Sequence, residues 1–157
     1  MLPVAPEQNF VGLPGDVLHE AAANIWNSML ELEIERDDGL PIIPPDGERL
    51  LAGRVTIDGS WQGCVLLVCP KAVARKAAAA MFEIPPSAIT DTELRDTVGE
   101  LTHMLGSNLK SLLPSPSLVS LPDVTEHYNI AVAGRLAGRV LLRCEGQILQ
   151  ISLFEQE

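Results

Sequence analysis

The 157-residue chain carries 11 Lys and Arg against 21 Asp and Glu, a formal net charge of −10. That acidity speaks against nucleic acid or an anionic membrane as a partner, since both need basic side chains to neutralise phosphates. With 46% hydrophobic residues the chain is too apolar for disorder, and its length suits one domain, residues 1–157, with a real core.

No apolar run reaches about 18 residues, so no transmembrane helix is predicted. The start lacks a basic segment followed by an apolar one, so no secretory signal is expected and a cytoplasmic location is the default. Cys64, Cys69 and Cys144 are odd in number and form no CxxC pair, which fits a reducing compartment. His19, His103 and His127 have no metal-ligand spacing, so no metal of the chain's own is expected.

In chain order, residues 1–14 hold three prolines and no periodicity and read as an irregular arm. Leu18, Ala22, Ile25 and Met29 then place an apolar stripe on a helix over Asp16–Met29, with His19 as a surface residue. Leu30-Glu31-Leu32-Glu33-Ile34-Glu35 alternates apolar and acidic residues. Leu and Glu would also continue a helix, but the alternation favours a strand. Asp37-Asp38-Gly39 ends it, and Pro41, Pro44, Pro45 and Asp46-Gly47 make an irregular connection. Arg49–Ile57 and Trp61–Cys69 read as strands of a hairpin turning at Asp58-Gly59-Ser60. Gly53 and Gly63 inside them suggest bulges or close neighbours. Val65–Cys69 is apolar on both faces, as a central strand is, and Cys64 and Cys69 point to opposite faces. Pro70 suits the first position of a helix over Lys71–Phe82, which Pro85-Pro86 stops.

Thr90 to Leu113 is the best-formed helix of the sequence. Thr90 and Glu93 have capping-box spacing. Leu94, Val98, Leu101, Leu105, Leu109 and Leu112 fall three or four apart and make one apolar stripe. Asp96, Glu100, His103, Ser107 and Lys110 lie on the opposite side. Gly99 and Gly106 cost roughly 1 kcal/mol each against Ala inside a helix, and close approach of another backbone would explain them. Asn108 sits at the edge of the stripe. After the break at Pro114-Ser115-Pro116, strands are predicted at Ser117–Leu121, Tyr128–Ala133, Arg139–Cys144 and Ile148–Phe154. Gly134–Gly138 and Glu145-Gly146 are the turns among the later ones.

The run Gly99-Glu100-Leu101-Thr102-His103-Met104-Leu105-Gly106-Ser107-Asn108 resembles the signature helix of the CheX-type chemotaxis phosphatases, relatives of CheC and FliY. That helix carries Gly-Glu-x-x-Asn, then apolar residues, then small residues and an Asn. Gly99, Glu100, Met104, Leu105, Gly106, Ser107 and Asn108 match; His103 stands where the family has its catalytic Asn. The glycine-bearing hairpin, the alanine-rich helix and Ser120-Leu121-Pro122 extend the likeness from about Trp26 to the end. CheC-type relatives carry two Glu-x-x-Asn motifs. One candidate is found here, which fits the single-site CheX arrangement.

The resemblance implies an α+β domain: one mainly antiparallel sheet of about six strands, packed on one face by helices Asp16–Met29, Lys71–Phe82 and Thr90–Leu112. It implies a homodimer built by joining sheet edges. It also implies removal of the phosphoryl group from the aspartate of a phosphorylated CheY-type receiver domain. The receiver brings Mg²⁺ and a lysine, so no cofactor of the chain's own is expected. The family's Asn orients the attacking water and its Glu docks on the receiver's lysine, which is catalysis by positioning. Glu100 and His103 are then the candidate catalytic pair, and Asp96, Glu100, His103, Ser107 and Lys110 the partner-binding face. A neutral imidazole accepts a hydrogen bond from water. Two alternatives stay open: a catalytically silent module that binds or sequesters a receiver, and a dimeric domain with no receiver partner.

Overall fold

The computed structural model describes residues 12–39, 50–126 and 134–156. Three helices pack on a sheet of seven strands in which every pairing is antiparallel. The strands are β1 (Glu35–Asp37), β2 (Leu50–Gly59), β3 (Gly63–Pro70), β4 (Ser117–Val119), β5 (Asp123–Thr125), β6 (Arg135–Cys144) and β7 (Gln147–Glu155). The helices are α1 (Gly15–Ile25), α2 (Lys71–Phe82) and α3 (Asp91–Lys110). The sheet order is β1-β6-β7-β3-β2-β4, with β5 also pairing with β2. The α+β architecture is therefore the expected one, with one strand more than six.

Period-two side-chain alternation builds the core. Leu51, Val55 and Ile57 of β2, Val65, Leu67 and Cys69 of β3, and Leu149, Ile151 and Leu153 of β7 face the helices and are buried. Ala52, Cys64, Leu66, Val68 and Phe154 form a smaller apolar cluster on the other face. Cys64 and Cys69 thus do fall on opposite faces, and β3 is buried over Cys64–Cys69 as a central strand should be.

Four expectations need correction. Leu30–Glu35 is not a strand: the first helix runs on through a widened turn, Trp26–Leu30, and stops at Glu31, which takes a left-handed φ of 54°. Trp26 and Leu30 are both buried by this turn, so helix propensity and the burial of two large side chains prevail over a short alternation. Only Glu35–Asp37 pairs with the sheet. His19 is half-buried rather than a plain surface residue, with Nε2 3.1 Å from the Ile34 carbonyl. Gly134–Gly138 is not a turn but mostly the start of β6, where a register shift between Leu136 and Gly138 leaves Ala137 as the extra residue. A further strand, β5, follows the expected one at Ser117, which itself stops at Val119. The predicted strand at 128–133, the connection at 41–47 and His127 lie outside the described residues.

Candidate functional site

Helix α3 is the element on which the site is built, and its own sequence accounts for its start. The Thr90 hydroxyl accepts from the Glu93 N–H at 3.2 Å, and the Glu93 carboxylate accepts from the Thr90 N–H at 2.8 Å. The two groups satisfy orphan donors reciprocally. Leu94, Val98, Leu101, Leu105 and Leu109 are each at most 1% exposed. The helix ends at Lys110, so Leu112 falls outside it and is exposed, while Leu113 is buried instead.

More of α3 is enclosed than a single stripe requires. Thr97, Gly99, Thr102 and Gly106 are buried too. The enclosing wall is a strap formed by β4, the Ser120–Pro122 link and β5, running beside β2 at the sheet edge. A Cβ on Gly99 would lie 3.3 Å from Pro122 Cγ and 3.4 Å from Val124 Cγ2. One on Gly106 would lie 2.7 Å from Val55 Cγ2 and 3.2 Å from Val119 Cγ1. The two glycines therefore make room for side chains of the strap and of β2, not for a neighbouring backbone as expected. Gly53 acts in the same way from the sheet, since its Cβ would sit 2.1 Å from Thr102 Oγ1.

What α3 leaves open is a narrow polar face. Asp96, Glu100 and Ser107 are exposed, and His103 and Lys110 are partly exposed. All five candidate residues thus share one accessible stripe. Asn108 is exposed beside it. Glu100 and His103 are separated by about 60° around the axis and about 4.5 Å along it, so their side chains stand next to each other. Among the described residues no cation is paired with Glu100, and His103 has no hydrogen bond. Nor do three His, Cys, Asp or Glu side chains converge as metal ligands anywhere among these residues.

Beside Glu100 lies an open depression of about 420 Å³ lined by Arg95, Asp96, Gly99, Glu100, Pro122 and Val124. Its one cation, Arg95, is committed elsewhere. Nη1 donates to the Val124 carbonyl at 3.4 Å, Nε lies 3.5 Å from Asp91 Oδ2, and Nη2 lies 3.8 Å from Glu126 Oε1. Glu126 also pairs with Lys71 at the start of α2. The Lys71 ammonium, and secondarily the Arg95 guanidinium, hold the Glu126 carboxyl below the usual carboxylate range. The strap is thereby tied to both helices. These strap residues were not foreseen as part of the site; the paired helix glycines and Pro122 were the available signals.

The fold is shared with solved structures. The chemotaxis protein CheX from Vibrio vulnificus superposes with a TM-score of 0.74 over 98% of this chain and 100% of that one, at 16% identity. A CheC-like superfamily protein from Shewanella sp. PV-4 gives 0.67 over 90% and 96%, at 19% identity. A CheX from Borrelia burgdorferi, solved as a CheX–CheY–BeF₃–Mg²⁺ complex, gives 0.65 over 90% and 97%, at 16% identity. None of the curated proteins matches the sequence. The family model for the chemotaxis phosphatase CheX matches residues 51–142, a span that includes the hairpin, α2, all of α3 and the strap, and this chain belongs to the CheX family.

Proposed function

We propose that this chemotaxis protein dephosphorylates the phospho-aspartate of a CheY-type receiver domain, with Glu100 and His103 as the working pair. The observation that carries the reading is their adjacency on the accessible stripe of α3, within the family-matched span. The CheX–CheY complex from Borrelia burgdorferi supports the class of partner. Glu100, unpaired within the described residues, meets a cation of the receiver. Neutral His103 accepts a hydrogen bond from a water and aims it at phosphorus. The water oxygen bonds to phosphorus as the phosphorus–aspartate oxygen bond breaks; the aspartate leaves as a carboxylate and both water hydrogens go with the phosphate as H₂PO₄⁻. Mg²⁺ held by the receiver neutralises the phosphoryl oxygens. We also infer that two copies pair through a sheet edge, which would cover unpaired backbone groups; sedimentation as a monomer at about ten micromolar, in the range of weak interfaces, would refute this.

His103 in place of Asn supports a second reading, a silent module that binds the receiver without hydrolysis. Phosphate release from a phosphorylated receiver in Mg²⁺ separates the two. If His103 positions the water, His103→Asn changes the rate little. A silent parent that gains activity as His103→Asn supports sequestration. Glu100→Ala weakens binding under both readings while changing stability by no more than about 0.5 kcal/mol. No binding and no hydrolysis with any receiver would sink both.

A further inference from the structure

We infer that Leu121 is an apolar anchor for the receiver, seated at the rim of the depression beside Glu100; this rests on the receiver reading above. Single exposed leucines are ordinary on protein surfaces, but three observations separate Leu121 from that background. It is 85% exposed, more than any other large hydrophobic residue among those described. It precedes Pro122, whose ring packs over Gly99 and lines the depression with Asp96 and Glu100. And its backbone is tethered to β2 through Ser120. The Ser120 N–H donates to the Thr56 carbonyl at 2.9 Å, the Ser120 hydroxyl accepts from the Thr56 N–H at 2.9 Å, and the same hydroxyl donates to the Leu121 carbonyl at 2.9 Å.

An apolar side chain presented at little further ordering cost beside a polar rim is the pattern of an interface anchor. The rim fixes the sign of the occupant. Asp96 and Glu100 are exposed beside Pro122, and Arg95 is engaged by Asp91, Glu126 and the Val124 carbonyl. The complementary surface is a basic group with an apolar patch next to it. A receiver that brings a lysine to Glu100 would place its neighbouring surface on Leu121 and Pro122.

Leu118 provides the internal control. It pairs with Asp58, while its neighbour Val119 reaches toward α3. Leu118 therefore points to the other face of the sheet, although it is also largely exposed, at 75%. The experiment is calorimetric titration of the full chain with CheY-type receivers of its source loaded with beryllofluoride and Mg²⁺. Leu121→Asp should raise Kd at least tenfold with an unchanged melting temperature. Leu121→Ser should follow in the same direction, and Leu118→Asp should stay within twofold of the parent. A parent that binds while Leu121→Asp binds equally well overturns the anchor and leaves the receiver reading standing. Equal losses at both leucines overturn it as well, as does a Leu121→Asp chain that changes only its own sedimentation, since the leucine then serves a second copy. A parent that binds no receiver overturns both the reading and the anchor.

Discussion

Replacing Gly106 by Ala adds one carbon where the packing of α3 on the sheet leaves no room for it. The new Cβ would stand 2.7 Å from Val55 Cγ2 and 3.2 Å from Val119 Cγ1. Val55 is fully buried and, being β-branched, has little rotamer freedom with which to yield. Relief therefore requires α3 or β2 to move, an overpacking cost of about 1–3 kcal/mol. Ala recovers about 1 kcal/mol of helix propensity over Gly. The expected net effect is a loss near about 1 kcal/mol, or a melting temperature lower by about 2–4 °C in a domain of this size. Gly99→Ala supplies the contrast in the same helix. Its Cβ meets Pro122 Cγ at 3.3 Å and Val124 Cγ2 at 3.4 Å, a tight fit that a shift of a few tenths of an ångström in the half-buried strap relieves. The propensity gain should then win, leaving this variant neutral to about 1 kcal/mol more stable. Urea unfolding checks both, provided the slope m is unchanged, so that midpoints compare stability alone. A Gly106→Ala chain as stable as the parent, or a Gly99→Ala chain less stable than Gly106→Ala, would refute the reasoning.

Other outcomes follow from the same contacts. Thr90→Ala removes the cap of α3 from an exposed position and should cost about 1 kcal/mol in urea unfolding. Gly99→Leu forces a full side chain between α3 and Pro122; it should destabilise where Gly99→Ala does not, and melting curves will tell. Glu126 carries a depressed carboxyl in the folded state, so its ion pairs stabilise the fold above the ordinary carboxylate range, and that stabilisation is lost as pH falls through the depressed value. The stability gap between the parent and Glu126→Gln should thus be widest near neutral pH and close on acidification. A gap that widens toward acid would contradict the assignment.

Much of the fold was legible because long elements repeat their pattern many times. α2 has the bounds that Pro70 and Pro85 set, and α3 keeps its stripe from Leu94 to Leu109. The hairpin of β2 and β3 turns close to Asp58-Gly59-Ser60, with β2 running on to Gly59 and the turn falling at 60–62. What failed was short or depended on distant partners. Six residues of alternation after Trp26 carry less information than the burial of Trp26 and Leu30 in a widened turn. β5 is three residues long and has no signature of its own; it exists because β2 offers it a ladder at Ala52–Arg54. The glycines of α3 were readable as places needing space, but which neighbour filled it was a tertiary fact.

The candidate site was legible for a different reason. On the proposed reading a catalyst that only positions a water needs few side chains, and helical spacing alone puts Glu100 and His103 side by side. The sequence carries no further mark of it, and among the described residues no three metal-ligating side chains converge there. The strap supplies what the pair lacks. Lys71 and Arg95 are both engaged by acids of the chain, chiefly Glu126, so the carboxylate of Glu100 faces outward without a cation from the described residues. In a chain of net charge −10, an unpaired carboxylate beside a neutralised arginine is a place where an incoming cation meets attraction without first displacing a resident one. That arrangement raises association with a basic surface more than it adds to the stability of the fold. It also explains why the ion pairs sit behind the polar stripe rather than on it. They hold the wall that shapes the depression, and the stripe stays open for the partner proposed above.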